Sequence, residues 1–162
     1  MPAKKLLFPF LLLLLFSGKG SSVTAQIYGT GFGVLLGNPS GATMKVFFTE
    51  RDAFEGIIAT SWRGVSATAL YQLHFTLPDP KFRNTHWYLG AGAHAGRWDN
   101  TAPFYDGPDT ITPLGVSLAA GIESTFGRYP FTFGFHLMPS ANIAGHLSFN
   151  IFQAGITGRY IF

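Results

Sequence analysis

The strongest constraint on this chain is a period-two alternation of apolar residues with small or polar ones, which recurs from about residue 27 to the last residue. In the closing segment Phe152, Ala154, Ile156, Gly158, Tyr160 and Phe162 fall on one face, while Gln153, Gly155, Thr157 and Arg159 share the other with Ile161. Pro113 to Phe126 repeats the pattern most cleanly, setting Leu114, Val116, Leu118, Ala120 and Ile122 against Gly115, Ser117, Ala119, Gly121 and Glu123. A helix brings a face round every three or four residues, so this spacing belongs to strands. Strands that are greasy on one side, polar on the other and aromatic at their ends suit a membrane-spanning β-barrel.

Eight candidate strands follow, separated by turn chemistry. They run over about 27–36, 42–48, 53–62, 65–77, 86–98, 113–126 and 131–138, with the closing strand last. Asn38-Pro39-Ser40-Gly41, Thr49 to Asp52, Arg63-Gly64, Pro78 to Thr85 and Gly127 to Pro130 supply short connections. Asp99 to Thr112 is the longest non-periodic stretch, and Pro139 to about Leu147 is read as the second long loop. The expected fold is all-β, an eight-stranded antiparallel up-and-down barrel. An even strand number returns both ends of the barrel to one side, so Asp99 to Thr112 becomes the main extracellular loop. An interior of this size is about filled by side chains and leaves no open diffusion pore.

The beginning of the chain reads as an export signal. Lys4 and Lys5 precede a greasy run from Leu6 to Phe16, and Val23-Thr24-Ala25 offers small residues for cleavage before Gln26. The run falls short of the roughly twenty residues that a bilayer span needs. Residues 1–25 are therefore expected to be a signal peptide and 26–162 the barrel. Lys4, Lys5 and Lys19 leave with the signal, which reduces 11 basic residues to 8 against 8 acidic ones and removes any reason to expect a nucleic-acid partner. With no Cys, the chain carries neither disulfides nor a lipoprotein anchor. Closing every backbone hydrogen bond within a barrel supplies the missing constraint.

A soluble barrel would turn charged residues outward on most of its strands. Charged residues make up 12% of this chain and aromatics 16%, too few charges to coat such an exterior. The expected location is the bacterial outer membrane, in contact with its lipid.

On this register Lys45, Glu55, Glu123 and Arg159, with Gln72 and Gln153, are the polar members of the inner face. Unpaired charges in a narrow lumen are costly, which predicts a mutually satisfied network, Lys45 with Glu55 and Glu123 with Arg159 or a neighbour. A sharper alternative is a hydrolase built from His136, Ser140 and Glu123, the residue types that activate a hydroxyl for attack on an ester. Strand order predicts that His136 and Glu123 lie far apart along the barrel, which ranks this second. His146 is another possible base. His74, His94 and His136 show no metal-ligand spacing, and neither a metal nor a cofactor is expected.

Tyr160 and Phe162 resemble the alternating aromatic pair of the C-terminal signal read by the outer-membrane barrel-assembly machinery, although Gly158 interrupts the apolar series. Gly37-Asn-Pro-Ser-Gly41 with Lys45, Asp52-Ala-Phe-Glu-Gly56 with Trp62, Trp87-Tyr-Leu-Gly-Ala-Gly92 and Ile156-Thr-Gly-Arg-Tyr-Ile-Phe162 resemble a family of small eight-stranded outer-membrane barrels of the Bacteroidetes and relatives. Its members typically show Asp where Asn38 stands and a Gly-Lys-Tyr strand in place of Met44-Lys45-Val46. The resemblance implies fold and location and brings no activity. The hydrolase alternative resembles the small eight-stranded lipid A deacylase barrels, but their His-x-Ser-Asn segment is not reproduced by His136-Leu-Met-Pro-Ser140-Ala-Asn142, where the spacing is longer and a proline intervenes. The expected function is non-catalytic, a structural, adhesion or surface-interaction role with an unidentified extracellular partner; the alternative is a lipid-modifying hydrolase.

Overall fold

The computed structural model describes residues 29–61, 64–78, 80–82, 84–99, 110–145 and 147–162. Residues 1–25, expected from the sequence to be a signal peptide, and His146 lie outside them. Ten strand segments follow one another: β1 (Thr30–Asn38), β2 (Ser40–Phe47), β3 (Asp52–Ser61), β4 (Gly64–Thr76), β5 (Thr85–Arg97), β6 (Leu114–Thr125), β7 (Phe131–Leu137), β8 (Ser140–Ala144), β9 (Ser148–Asn150) and β10 (Ala154–Ile161). Each of β1 to β6 pairs antiparallel with the next, β6 pairs with β7, β7 with β10, and β10 closes on β1. The result is a closed antiparallel barrel of eight strands. Among the described residues the sole helical piece is a 3-10 turn at Pro80–Phe82.

The alternation in the sequence becomes inside and outside. On β6, Gly115, Ser117, Ala119 and Glu123 are buried while Leu114, Val116, Leu118 and Ile122 are exposed. Such strict alternation pins the register, because a slip of one residue would turn every side chain to the wrong face. Gly31 faces Ile161 and Thr125 faces Thr132, so the barrel's beginning, its end and the 48–51, 77–84 and 126–130 connections share one end, called here the terminal end. The end of β3 and start of β4, the Trp98–Ile111 bridge between β5 and β6, and the end of β8 lie at the far end with the β1–β2 turn.

The loop expected from Pro139 to Leu147 is mostly strand. Ser140–Ala144 forms β8 and pairs with β6, with Ser117 opposite Ser140 in the same register that sets Ala120 opposite Leu137. Pro139 still accepts a hydrogen bond at its carbonyl from Leu118 N (2.9 Å). Having no N–H, the proline withholds the return bond, which interrupts one rung without ending the strand. Segments β7 and β8 are thus one barrel strand. Segments β9 and β10 are the next, joined through a bulge: Leu137 faces Ala154 whereas Ser140 faces Asn150, so residues 138–139 oppose 151–153.

The interior is layered. Phe47 and Ala53, with Ile161 against them, close the terminal end. Polar and charged side chains come next, and above them an apolar layer of Leu35, Ile57, Leu70, Ala119 and Met138 crosses the barrel. Beyond that layer, toward the far end, the lumen opens into a cavity of about 310 Å³. Two inward glycines make room for rings. A Cβ on Gly121 would lie 2.4 Å from the Tyr88 hydroxyl, and one on Gly115 would lie 2.6 Å from His94 Cε1.

Candidate functional site

Four charged side chains from four strands meet in the terminal half. Lys45 and Glu55 stand opposite each other on β2 and β3, and their charged atoms lie 3.8 Å apart. Lys45 Nζ is 3.2 Å from Glu123 Oε2 on β6, and Arg159 Nη1 on β10 is 2.5 Å from the same oxygen. The other guanidinium nitrogen, Nη2, pairs with Glu55 Oε1. All four are essentially excluded from solvent. Two cations against two carboxylates leave no formal excess, the condition under which buried charge is tolerable.

Neutral groups complete the cluster. Thr43 Oγ1 and Gln72 Nε2 each donate to a Glu55 oxygen at 2.5 Å. Lys45 Nζ sits 4.2 Å from the centroid of the Tyr88 ring and donates to His74 Nε2 at 3.4 Å. The His74 and Tyr88 rings stack at 4.9 Å, and the Tyr88 hydroxyl meets His136 Nδ1 at 2.7 Å. Cation, ring and carboxylate are interlocked across the lumen, and the cluster works as a cross-brace.

The alternative triad of His136, Ser140 and Glu123 does not assemble. Contrary to expectation, His136 and Glu123 are not at opposite ends: Gly121 faces His136 and Glu123 faces Gly134, so they are two positions apart in register. A seventh strand read as 131–138 stops short of the barrel strand that continues through β8, which displaces His136 toward the far end. Glu123 is taken up by Lys45 and Arg159, and Ser140 stands four positions along the strand on the wall of the far cavity. No group of three metal-ligating side chains occurs among the described residues.

A different constellation lines that cavity. His94 Nδ1 is 2.8 Å from Ser117 Oγ, and His94 Nε2 is 2.7 Å from Asn142 Oδ1. Asn142 Nδ2 donates to Ser148 Oγ at 2.7 Å. Since Asn142 spends its N–H on Ser148, its carbonyl oxygen accepts from Nε2–H. The lone pair of Nδ1 is then turned to the Ser117 hydroxyl. The four residues come from β5, β6, β8 and β9. Thr68, Met138 and Phe149 add to the wall, and Asn38-Pro39 with Ile151-Phe152-Gln153 form its rim.

Sequence reading weighed His94 only as a metal ligand or packing residue and missed this set. Asn142 falls within the stretch read as a loop and Ser148 just after it, so their inward parity carries no weight in the sequence. Extending the seventh strand through Pro139 would have placed Asn142 inside, level with Gly115 and beside His94. The chain matches no protein-family model, no curated protein and no solved structure.

Proposed function

We propose that the protein is an integral barrel of the bacterial outer membrane that works at the cell surface, its terminal half a sealed brace and its far half a chamber for an amphiphilic guest. The distribution of charge carries this reading. On the described strands, charged residues at outward positions are Asp52 and Arg97, one near each rim, and the wall between them is apolar. Leu36, Ile58, Leu118 and Phe133 on four strands are each more than half exposed. A contiguous belt of this kind far exceeds the few hundred Å² that soluble monomers show, whereas hydrocarbon accommodates it.

The aromatic residues support the same orientation. Phe131, Tyr160 and Phe162 meet edge to face with centroids 5.3 and 5.0 Å apart, and Phe75 stacks on Trp87 at 4.4 Å. All belong to the terminal end, where they form one arc of an interfacial girdle. The terminal end is then periplasmic, the chamber faces the outer leaflet, and β10 is the segment offered to the barrel-assembly machinery.

The test is expression of the full chain in a Gram-negative host. Expected are an N-terminus at Gln26, recovery with the outer membrane and a folded band in gels that shifts on boiling. Deleting Phe162 should lower the amount assembled. A protein soluble without detergent would overturn the proposal.

A further inference from the structure

We infer that the far chamber is an ester-hydrolysing site in which Ser117 is the nucleophile, His94 the base and Asn142 the positioning residue, acting on an acyl ester of an outer-leaflet lipid. The lipid part of this inference rests on the membrane reading above. The chemistry rests on the Ser117–His94–Asn142 hydrogen-bond chain and on the cavity beside it.

The arrangement is directional. Nδ1 of His94 presents its lone pair to the Ser117 hydroxyl, and Nε2–H is held by Asn142, itself held by Ser148. A serine with an acceptor nitrogen at 2.8 Å, on an imidazole whose far side is fixed, has the parts of an activated nucleophile. As Ser117 Oγ bonds to the ester carbonyl carbon, its proton passes to His94 Nδ1. The bond from that carbon to the alcohol oxygen breaks, and the departing oxygen takes the proton. Water then gives a proton to His94 and bonds to the acyl carbon, and Ser117 leaves with the proton. The sum is ester plus water giving fatty acid plus alcohol.

The wall offers a lateral route. The last pair between β1 and β10 is Asn38 with Ala154, and beyond it β9 pairs with β8 alone among the described strands. A notch is left above the Asn38-Pro39 turn, beside the bulge that carries Ile151 and Phe152. Both side chains are exposed, Phe152 at 90%, and both also line the cavity rim. An acyl chain passing from the leaflet over these residues would bring its ester to the chamber. The polar cluster of the terminal half, by contrast, consists of charged side chains that are essentially excluded from solvent.

The decisive experiment uses the purified mature protein refolded in detergent. A fluorophosphonate probe should modify the peptide containing Ser117, located by mass spectrometry. The protein is then placed in vesicles of phosphatidylethanolamine or, separately, of acylated outer-membrane glycolipid, which distinguishes the two sources of the ester. Fatty acid should appear in one of the two, and Ser117→Ala should lower its release by at least about a thousandfold. Ser124→Ala, at the terminal end against Thr85, should leave it unchanged. Asn142→Ala should lower kcat at least about tenfold with little change in KM, and Asn142→Asp should restore most of the loss. A folded, heat-modifiable barrel that is not modified at Ser117, or whose fatty-acid release survives Ser117→Ala, overturns the inference and leaves the membrane reading intact. Modification at Ser117 in a protein that never enters vesicles keeps the nucleophile and removes both the membrane reading and the lipid substrate.

Discussion

Arg159 on the last strand reaches across the lumen to Glu123 on β6 at 2.5 Å, while the other arm of its guanidinium holds Glu55 on β3. A single cation therefore ties three strands that are not neighbours in the sheet. Arg159→Met leaves two carboxylates facing one lysine, and the expected loss is about 3 to 5 kcal/mol. Replacing Lys45 by Met together with Glu55 by Gln keeps the charge balanced and should cost less than the sum of the two single changes. Unfolding in detergent with urea, followed by tryptophan fluorescence, measures both.

The outward wall is tested on one strand and at one rim. Leu118→Arg places a guanidinium in the middle of the apolar belt and should cost about 2 to 4 kcal/mol, whereas Leu147→Arg at the β8–β9 turn should cost about 1 kcal/mol or less. Equal costs in vesicle unfolding titrations would remove the depth dependence that a bilayer imposes.

Two glycines on opposite faces should respond oppositely to alanine. A Cβ at Gly121 meets the Tyr88 ring and the Phe135 carbonyl oxygen at 2.5 Å or less, so overpacking of about 1 to 3 kcal/mol is expected. Gly158 has nothing within 4 Å of that point, and Gly158→Ala should be neutral or stabilise by about 0.4 to 1 kcal/mol through the unfolded chain. Thermal midpoints of the two variants decide it.

Planar-bilayer recording should detect no stepwise conductance from the intact protein. Leu70, Gln72, Tyr88 and Arg159 are all buried and fill the lumen from three strands, so no continuous water path remains. Regular single-channel steps at neutral pH would contradict the sealed brace.

Much of this fold was readable before the structure, and the reasons are local. The faces of β1 to β7 and of β10 follow from alternation, because each strand has one apolar side and register is strongly specified there. The meeting of Lys45 with Glu55 follows from a short hairpin that leaves little choice of pairing. What escaped reading was Pro139, which costs one rung but leaves the strand running, and the bulge at 151–153, which shifts pairing without any sequence mark beyond a break in parity. The far chamber was lost with them. His94 and Ser117 sit on adjacent strands whose pairing spans a long loop, and Asn142 lay in what read as another. Contacts that depend on register across such loops are not encoded in local pattern.

The position of Arg159 also bears on how the barrel is made. Glu55 and Glu123 are carried by strands laid down earlier in the chain, and both obtain their guanidinium only when β10 seats between β1 and β7. Should β10 dock one residue out of step, Arg159 would point outward and the two acids would be left facing one lysine inside. Ring closure and charge neutralisation are one event, so a barrel shut in the wrong register is electrostatically rejected at the moment of assembly, with no inspection from outside required.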